Sequence, residues 1–461
     1  MNKYLHHFSK YTVLAIIALM LSGNANAQTW QAIGSLGFTT GKADLTSMAI
    51  DTNGTPYIAY MDNANGQKAT VMKFDGANWL TVGNPGFSDS TALFISFALN
   101  SVGVPYVAFC DPGNSYRATV MKYNGANWVA VGATGFSSGV AGSMSLAISN
   151  KDTPFVAFRD VTKGNTVMKF DGINWGVVGA TGFSTAPIDE KITIDKNGHP
   201  YVVFADSAHG YHASVMTYNG SSWVNLGIAG FSFGNVHLPC MVIDASGTPY
   251  LAYEDGILSK AVVVKYSSGG WMNVGSAGIS VGDVGYVSLV INSAGTPYVS
   301  YTDYTNTNKA TVMKFDGATW VNVGPADFTA NSAGYAAIAL DHSNQPYIVY
   351  SDGANTGKAS VMKYIPGTLV PEIGQSQNGL QLELFPNPVS NNELSVTYKS
   401  EKTGRSSLSI LDITGKTIKQ MDLGYQKEGS VVIPIDNFSN GMYIVRFTSG
   451  SATSFQRFIK Q

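Results

Sequence analysis

The chain alternates short apolar runs with turn residues, and one pattern of four runs recurs along most of its length. In the best-preserved copy, the runs are Ser47–Asp51, Pro56–Asp62, Lys68–Phe74 and Trp79–Gly83. Gly, Asn and Asp separate them, and no helical period lies between them. Short runs rich in aromatic and β-branched residues are typical of β-strands. The pattern therefore predicts an all-β fold with four strands in each repeat.

Tryptophan marks the repeat, because every Trp in the sequence occupies the same place in its copy. These residues, spaced by 47 to 49 positions, are Trp30, Trp79, Trp128, Trp175, Trp223, Trp271 and Trp320. A second series keeps the same step, with Tyr or Phe following each time: Pro56, Pro105, Pro154, Pro200, Pro249, Pro297 and Pro346. A repeat of this length with four strands is typical of one propeller blade. We predict a seven-bladed β-propeller over residues 28–364, with an open solenoid as the alternative.

The two ends of the repeat array complement each other. The last copy supplies three strands, ends at Tyr364 and lacks its Trp strand, whereas an additional Trp strand, Trp30–Gly34, precedes the first copy. Ring closure hides strand edges that an open array would expose. We therefore expect the N-terminal strand to close the ring as the outermost strand of blade seven.

The N-terminus has the features of a cleavable Sec signal. Lys3 and Lys10 carry positive charge, Val13–Leu21 is apolar, and Ala25-Asn26-Ala27 is a small-x-small cleavage site. We predict a signal peptide over residues 1–27 and export to the periplasm. The apolar run is short for a bilayer span and no comparable segment follows, so we expect no transmembrane anchor.

The loops of the predicted propeller differ between its two faces. On one face the turns are short and uniform, whereas on the other face the connections vary in length and sequence, as functional loops do. Aromatic rings beside Asp and Asn are common in sugar-binding sites, although exposed Tyr also occurs without a ligand. The candidate ligand-binding residues on the variable side are Phe94, Tyr116, Tyr211, Phe233, His237, Tyr286, Tyr304 and Tyr335.

An aspartate ends the second strand of every repeat. The seven are Asp62, Asp111, Asp160, Asp206, Asp255, Asp303 and Asp352. Such a ring of carboxylates could bind a metal or a sugar, but a basic residue opens the third strand in most copies, as Lys68 and Arg117 do. Because the two positions face each other across one hairpin, we expect structural Asp–Lys or Asp–Arg pairs.

The sequence shows no constellation typical of catalysis. It contains no nucleophile elbow, zinc-binding His-Glu-x-x-His or phosphate-binding Gly loop. The residues that break the repeat are few, namely Asp189, Glu190, Glu254, His209, His212 and His237. We expect no catalytic residue, no metal and no cofactor. The formal net charge of −2, without runs of like charge, disfavours nucleic acid as a partner.

The composition changes after Tyr364, where a Pro- and Gly-containing segment predicts a linker over residues 365–379. Residues 380–461 then show alternating strands that predict a small β-sandwich. The segment carries three motifs in order, namely Pro386-Asn387-Pro388, Gly415-Lys416, and Gly441 with Tyr443. In these motifs it resembles the type A sorting domain of the type IX secretion system of Bacteroidota.

The resemblance implies that the C-terminal domain engages the type IX secretion machinery and carries the protein across the outer membrane. It also implies removal of the domain, which leaves the protein on the cell surface or released. It implies nothing about the ligand of the propeller. Our leading hypothesis is a non-catalytic protein that binds glycan or another extracellular surface through the variable loops. The alternatives are a polysaccharide-active hydrolase or lyase, recognised by unpaired carboxylates in a central pocket, and a structural or adhesion protein.

Overall fold

The computed structural model describes residues 29–185, 187–366, 379–389, 392–401, 404–412, 416–450 and 452–460. The chain falls into two compact units, of which one is Gln28–Pro366 and the other contains Gly367–Gln461. The predicted signal peptide, the middle of the predicted linker and Gly415 of the sorting motif lie outside the described residues. Within the described ranges, no helix is long and apolar enough to cross a membrane.

The first unit consists of seven antiparallel four-stranded sheets, each corresponding to one repeat. The first strand of the chain, β1 (Thr29–Ala32), precedes the first repeat and belongs to the sheet of the seventh. Blade one contains β2 (Ala43–Ile50), β3 (Pro56–Asp62), β4 (Lys68–Phe74) and β5 (Trp79–Thr81). Blade two contains β6 (Leu93–Leu99), β7 (Pro105–Asp111), β8 (Arg117–Tyr123) and β9 (Trp128–Ala130). Blade three contains β10 (Ala141–Ile148), β11 (Pro154–Asp160), β12 (Gly164–Phe170) and β13 (Trp175–Val177).

The remaining blades repeat this order from the inner to the outer strand. Blade four contains β14 (Ile188–Ile194), β15 (Pro200–Asp206), β16 (His212–Tyr218) and β17 (Trp223–Asn225). Blade five contains β18 (Val236–Ile243), β19 (Pro249–Asp255), β20 (Lys260–Ser267) and β21 (Gly270–Asn273). Blade six contains β22 (Val284–Ile291), β23 (Pro297–Asp303), β24 (Lys309–Phe315) and β25 (Trp320–Asn322). Blade seven contains β26 (Ala333–Leu340), β27 (Pro346–Asp352) and β28 (Lys358–Ile365), with β1 outermost.

The seven blades form a closed ring. Each inner strand contacts the inner strand of the next blade, and β26 of blade seven contacts β2 of blade one. This cycle is the arrangement of a seven-bladed β-propeller and not of an open solenoid. In blade seven, β1 pairs antiparallel with β28, and Trp30 lies opposite Tyr364.

The Trp residues join each blade to the one before it. The indole N–H of Trp79 donates to the carbonyl of Ile33 at 2.8 Å, and that of Trp30 donates to Val323 at 2.9 Å. Six of the rings also stack on a Phe of the preceding connection, as Trp128 does on Phe87 with centroids 3.9 Å apart, whereas Trp320 has Ile279 at that place. The Trp side chains therefore fill the gaps between blades, where each indole satisfies its only donor while burying a large apolar area.

Within the second unit, two sheets face each other. The three-stranded sheet contains β29 (Leu380–Phe385), β30 (Glu393–Ser400) and β33 (Glu428–Pro434). The four-stranded sheet contains β31 (Ser406–Leu411), β32 (Thr417–Gly424), β34 (Gly441–Ser449) and β35 (Ala452–Lys460). Leu394, Val396 and Tyr398 from one sheet share a core with Leu408, Val445 and Phe447 from the other.

Candidate ligand-binding face

The inner strand begins and the second strand ends at the same edge of each blade, because the two strands are antiparallel. In blade one, Ala43 lies opposite Asp62, and in blade seven Ala333 lies opposite Asp352. The hairpin loops that follow the aspartates therefore lie at this edge too. It is termed the variable face, and the opposite edge, which carries turns such as Asp51–Gly54, is termed the uniform face.

The seven aspartates shape the hairpins of the variable face. Each side chain accepts a hydrogen bond from the backbone N–H two residues further on: Ala64, Gly113, Thr162, Ala208, Ile257, Thr305 and Ala354. In four blades the aspartate precedes a short 3₁₀ turn, which spans Asn63–Asn65, Pro112–Asn114, Ser207–His209 or Gly353–Asn355. Each of these carboxylates thus accepts hydrogen bonds from its own loop, as a capping side chain does.

The expected Asp–Lys and Asp–Arg pairs are absent from the ion pairs of the described residues. Asp62 and Lys68 do lie opposite each other in the strand register, as the sequence predicts. However, Oδ2 of Asp62 already accepts from Asn65 Nδ2 at 2.9 Å and from Thr70 Oγ1 at 2.8 Å. Short local donors saturate the buried carboxylate, so a flexible lysine gains more by keeping its ammonium group in water.

A ring of strained residues surrounds the propeller axis on the variable face. The register of every inner strand shifts close to its start. At each shift one non-glycine residue has a φ between 40° and 55°. These seven residues, termed the axial rim, are Leu45, Phe94, Ser143, Asp189, Leu238, Tyr286 and Tyr335. A β-bulge re-aims a side chain out of the strand, which the repeat pattern alone did not predict.

Three of the predicted aromatic residues belong to this rim, and a fourth lies beside it. Phe94 is 46% exposed, and the rings of Tyr286 and Tyr335 lie with their centroids 5.0 Å apart. The hydroxyl of Tyr304 is close to Gly285, where any side chain would collide with it. Burial, together with Tyr335, Tyr304 and the nearby Asp44, raises the pKa of Tyr286 to about 12. The Tyr286 phenol is therefore a neutral hydrogen-bonding group at physiological pH.

The other predicted aromatic residues do not belong to the axial rim. Tyr116 and Tyr211 occupy hairpin loops and are 50% and 45% exposed. Their carbonyls accept from the N–H groups of Ala141 and Val236 in the next blade, at 2.8 and 2.9 Å, so the loops are held in place. Phe233 is 68% exposed. It lines a cleft of about 440 Å³ together with Phe231, Tyr253, Leu258 and Trp271.

His237 precedes the rim residue Leu238 in blade five and lies opposite Glu254 in the strand pairing. Its Nε2 is 3.1 Å from Nδ2 of Asn235. Burial raises the pKa of Glu254, and the neighbouring His237 opposes that rise. A hydrogen bond joins the rim residues of blades four and five, since Oδ2 of Asp189 accepts from the backbone N–H of Leu238 at 3.2 Å.

The other two histidines that break the repeat have separate partners. His209 Nδ1 lies 2.8 Å from Asp206, and His212 Nδ1 lies 2.6 Å from the carbonyl of Ser232. Across the described ranges, no group of three or more His, Cys, Asp and Glu residues could hold a metal ion. The structure does not bring the three histidines together as a metal site.

The uniform face also contains clefts, although its short and similar turns gave no indication of them. One cleft of about 540 Å³ between blades one and two is lined by residues that include Tyr57, Lys73, Tyr106 and Lys122. Nζ of Lys122 lies 6.0 Å from the centre of the Tyr106 ring. Such clefts arise from the gap between neighbouring blades, so the length of the turns does not reveal them.

The residues of the predicted sorting motif hold the last strand of the second unit. Asn387 donates from Nδ2 to the carbonyl of Arg457 at 3.0 Å and accepts at Oδ1 from the N–H of Ile459 at 3.1 Å. Pro386 and Pro388, on either side, both follow cis peptide bonds. The Pro-Asn-Pro segment thus connects the start of the sandwich to β35.

The remaining motif residues lie in turns and in the core. Lys416 closes a turn with Asp412, whose Oδ1 accepts the Lys416 N–H at 3.0 Å. Gly441 begins β34, and the hydroxyl of Tyr443 donates to the carbonyl of Ser439 at 2.9 Å. Lys460, in the last strand, is buried and donates from its ammonium group to three backbone carbonyls at 2.6 to 3.1 Å, a role that the sequence did not indicate.

Comparison with solved structures finds an oxidase, a lyase and a lectin among the similar chains. A fungal alcohol oxidase of the AA5 family in complex with copper is 12% identical, with a TM-score of 0.52, and the match covers 95% of this chain and 100% of that chain. A PL25 ulvan lyase is 10% identical, with a TM-score of 0.45 and coverage of 74% and 94%. The Aleuria aurantia lectin AAL is 13% identical, with a TM-score of 0.40 and coverage of 60% and 96%. At this identity, the likeness to the oxidase concerns the fold alone.

Comparison with family models identifies the C-terminal segment. Residues 383–461 match the family described as a secretion system C-terminal sorting domain, whereas comparison with curated proteins returns no match. The match covers most of the second unit, including the motifs that connect its first strand to its last. Residues 383–461 are a type IX sorting domain, and their presence indicates secretion or export to the outer surface.

Proposed function

We propose that this protein is a non-catalytic binding protein of the extracellular surface, and that the axial rim of its variable face recognises glycan. Five of the seven rim residues are apolar or aromatic: Leu45, Phe94, Leu238, Tyr286 and Tyr335. A sugar ring packs its apolar face on aromatic side chains and bonds through its hydroxyls to polar groups beside them. Asp189 and the phenol of Tyr304 provide such groups around the same axis.

The strain of the rim is the observation that carries this proposal. A left-handed conformation costs roughly 1 kcal/mol or more for a residue with a Cβ, whereas glycine adopts it readily. The chain contains 50 glycines, yet none occupies any of the seven rim positions. Strained residues persist where their side chains are needed, most often at binding sites. The rim therefore keeps its side chains at the expense of stability.

The test uses glycine as the substitution that separates binding from folding. We expect a glycan array to identify a ligand for the full chain, and the Tyr286→Gly/Tyr335→Gly variant to bind it at least about tenfold more weakly. Because glycine suits a positive φ, the Tm of this variant should stay the same or rise. The matched control, Asn53→Ala/Asn197→Ala on the uniform face, should bind like the wild type. Unchanged binding by the glycine variant would contradict the proposal.

One observation favours an enzyme as the second candidate. Burial raises the pKa of Glu254, which lies opposite His237 in the strand pairing beside the rim, so its carboxyl group is a candidate proton donor to a bound ligand. If the protein acts on polysaccharide, the wild type should release new chain ends from the glycan that it binds. The Glu254→Gln variant should then bind the glycan without releasing them.

The proposal also includes the export of the protein, its processing and the closure of its ring. Residues 1–27 direct Sec export, and the sorting domain is removed after passage through the outer membrane of a Bacteroidota cell. The protein then remains surface-attached, where it serves adhesion, or is released. The pairing of β1 with β28 supports a ring closed by the N-terminal strand, because β1 fills the outer position that the seventh repeat lacks.

A further inference from the structure

The cleft between blades one and two on the uniform face differs from its neighbours in its polar groups. In blade one, the turns after the inner strand and after the third strand lie at this face and begin with Asp51 and Asp75. In blade two, the same two turns begin with Asn100 and Asn124. Both carboxylates of blade one are thus replaced by amides in blade two.

The same replacement leaves a lysine of blade two without a carboxylate partner. Six blades carry this lysine near the end of the third strand: Lys73, Lys122, Lys169, Lys265, Lys314 and Lys363. In blade seven, Lys363 forms an ion pair with Asp341 of the first turn at 3.2 Å. In blades one and three, backbone N–H groups, with a contribution from the lysine, lower the pKa of Asp75 and Asp171 in the second turn. Among these six blades, blade two alone has no aspartate at either turn position, and Lys122 makes no ion pair within the described ranges.

The two asparagines also add hydrogen-bond donors to the cleft. Oδ1 of Asn100 accepts from two N–H groups of its own turn at 3.2 and 2.8 Å, and Oδ1 of Asn124 does so at 3.0 and 2.8 Å. Asp51 and Asp75 use one oxygen in the same way. Because Oδ1 is the acceptor, each asparagine keeps its Nδ2 as a donor, and neither Nδ2 donates to another residue in the described part of the chain.

These donors line one cavity of about 540 Å³, a size typical of small-ligand pockets. None of its described lining residues is Asp or Glu, whereas the clefts on either side are lined by Asp51 with Asp75 and by Asp152 with Asp171. Asp51 does approach its border, since a side chain added at Gly103 would lie 3.6 Å from Oδ2 of Asp51. The lining includes Tyr57, Lys73, Asn100, Tyr106, Lys122 and Asn124.

The donors and the shape of this cavity define the ligand that fits it. Two ammonium groups and two amide N–H groups face one bordering carboxylate, so the ligand must be negatively charged and rich in acceptors. The hydroxyls of Tyr57 and Tyr106 remain protonated, because burial, together with a nearby aspartate, raises the pKa of each. The cavity is larger than a simple anion needs. Its apolar lining, Val82, Val104 and Pro105, suits the C–H groups of a ring.

We propose that the cleft between blades one and two binds an acidic sugar residue of an extracellular polysaccharide. Its carboxylate or sulfate group lies between Lys73 and Lys122, and its hydroxyls bond to the amides of Asn100 and Asn124. This site lies on the face opposite the axial rim and does not depend on glycan binding by the rim. The protein then has one ligand site on each face of the propeller.

The experiment measures binding of matched monosaccharides to the full chain by titration calorimetry. The probes are glucuronic acid, glucose 6-sulfate and the methyl ester of glucuronic acid, which keeps the ring and removes the charge. We expect at least one acidic probe to bind, and the neutral ester to bind at least about tenfold more weakly. The two acidic probes distinguish a carboxylate from a sulfate ligand. Added salt should weaken the binding, because Lys73 is exposed to solvent.

Two double variants show whether this cleft is the binding site. Asn100→Asp/Asn124→Asp gives blade two the carboxylates of blade one and should weaken binding of the acidic probe at least about tenfold. Its Tm should not change, because Oδ1 keeps its role in each turn. The matched control, Asn219→Asp/Asn292→Asp, adds the same charge to turns of the same face in blades four and six. It should bind the probe as the wild type does.

Several outcomes would overturn the proposal. Neither acidic probe might bind, inorganic sulfate might bind as tightly as the acidic sugars, or Asn100→Asp/Asn124→Asp might bind them unchanged. The rim variant Tyr286→Gly/Tyr335→Gly should keep its affinity for the acidic probe, and a loss there would assign the binding to the rim instead. Failure of the rim to bind glycan would leave the result for this cleft intact.

Discussion

A single carboxylate at the end of each second strand determines the shape of each variable-face hairpin. Oδ1 of Asp62 accepts from the N–H of Ala64, while its other oxygen holds Asn65 and Thr70. The side chain is 2% exposed, so these hydrogen bonds are shielded from water. The aspartate therefore acts on its own loop, and the lysine across the hairpin contributes solubility.

This assignment predicts different costs for the two members of the expected ion pair. Asp62→Ala should lower the free energy of unfolding by about 2 to 3 kcal/mol, because it leaves the Ala64 N–H and the Thr70 hydroxyl without their acceptor. Lys68→Gln should change it by no more than about 0.5 kcal/mol. Denaturant titration of both variants measures the difference. Equal losses would restore the ion-pair interpretation.

For individual residues, the sequence predicts the strand register better than it predicts hydrogen-bond and ion-pair partners. It placed Asp62 opposite Lys68 correctly, since the repeat defines both strands. It could not show that local donors would outcompete lysine, because that depends on loop geometry. The axial rim was missed for a related reason. Leu45, Ser143 and Asp189 share a backbone conformation and no residue type, so the repeat consensus carries no signal for it.

At the scale of elements, β1 provides the clearest prediction. Trp30 is 5% exposed and bonds to blade six in the way that Trp79 bonds to blade seven. If β1 is an integral strand, Trp30→Ala should cost about 3 to 5 kcal/mol, as expected for a buried aromatic residue, and Trp79→Ala should cost a similar amount. Thermal or denaturant unfolding of the two variants decides the question. A negligible loss for Trp30→Ala alone would mean that the first strand does not close the ring.

Strands with strong apolar alternation were predicted, and weakly patterned ones were not. The second and third strands of blade one have the predicted bounds, Pro56–Asp62 and Lys68–Phe74. In the second unit, the sequence did not indicate Thr417–Gly424 or Ala452–Lys460 as separate strands. Both are edge strands with many polar residues, and pairing with a neighbour stabilises them more than their own composition does.

For the whole molecule, the period of the repeat was sufficient to predict the number of blades and their order. The repeat breaks at the boundary of blades three and four, where Asn165 and Glu190 replace Ala and mostly apolar residues of the other blades. The sequence indicated only part of this break. Asp189 and Glu190 were recognised as breaks in the repeat, but Asn165 draws attention only when the structure shows that its Ala counterparts are buried. From the sequence alone, a polar residue in a loop cannot be distinguished from a polar residue in a core, because the sequence does not give its burial.

The two compact units predict that export and folding can be separated. Deleting Gly379–Gln461 should abolish delivery to the cell surface while leaving the Tm of the propeller unchanged, because residues 28–366 have their own cores. Cell fractionation and calorimetry of the truncated chain measure the two effects. Normal surface display of the truncated protein would contradict the role of the sorting domain.

The pairing of β1 with β28 also affects the order in which the protein can form. Blade seven takes one strand from the start of the propeller and three from its end. In a chain that is synthesised or exported from its N-terminus, Trp30 cannot pair with Tyr364 until nearly the whole propeller has emerged. If β1 closes the ring, as we propose, the ring stays open until then and exposes strand edges, which are prone to association with other chains. Under this proposal, the propeller is complete only when the chain has emerged as far as the segment that leads into its sorting domain.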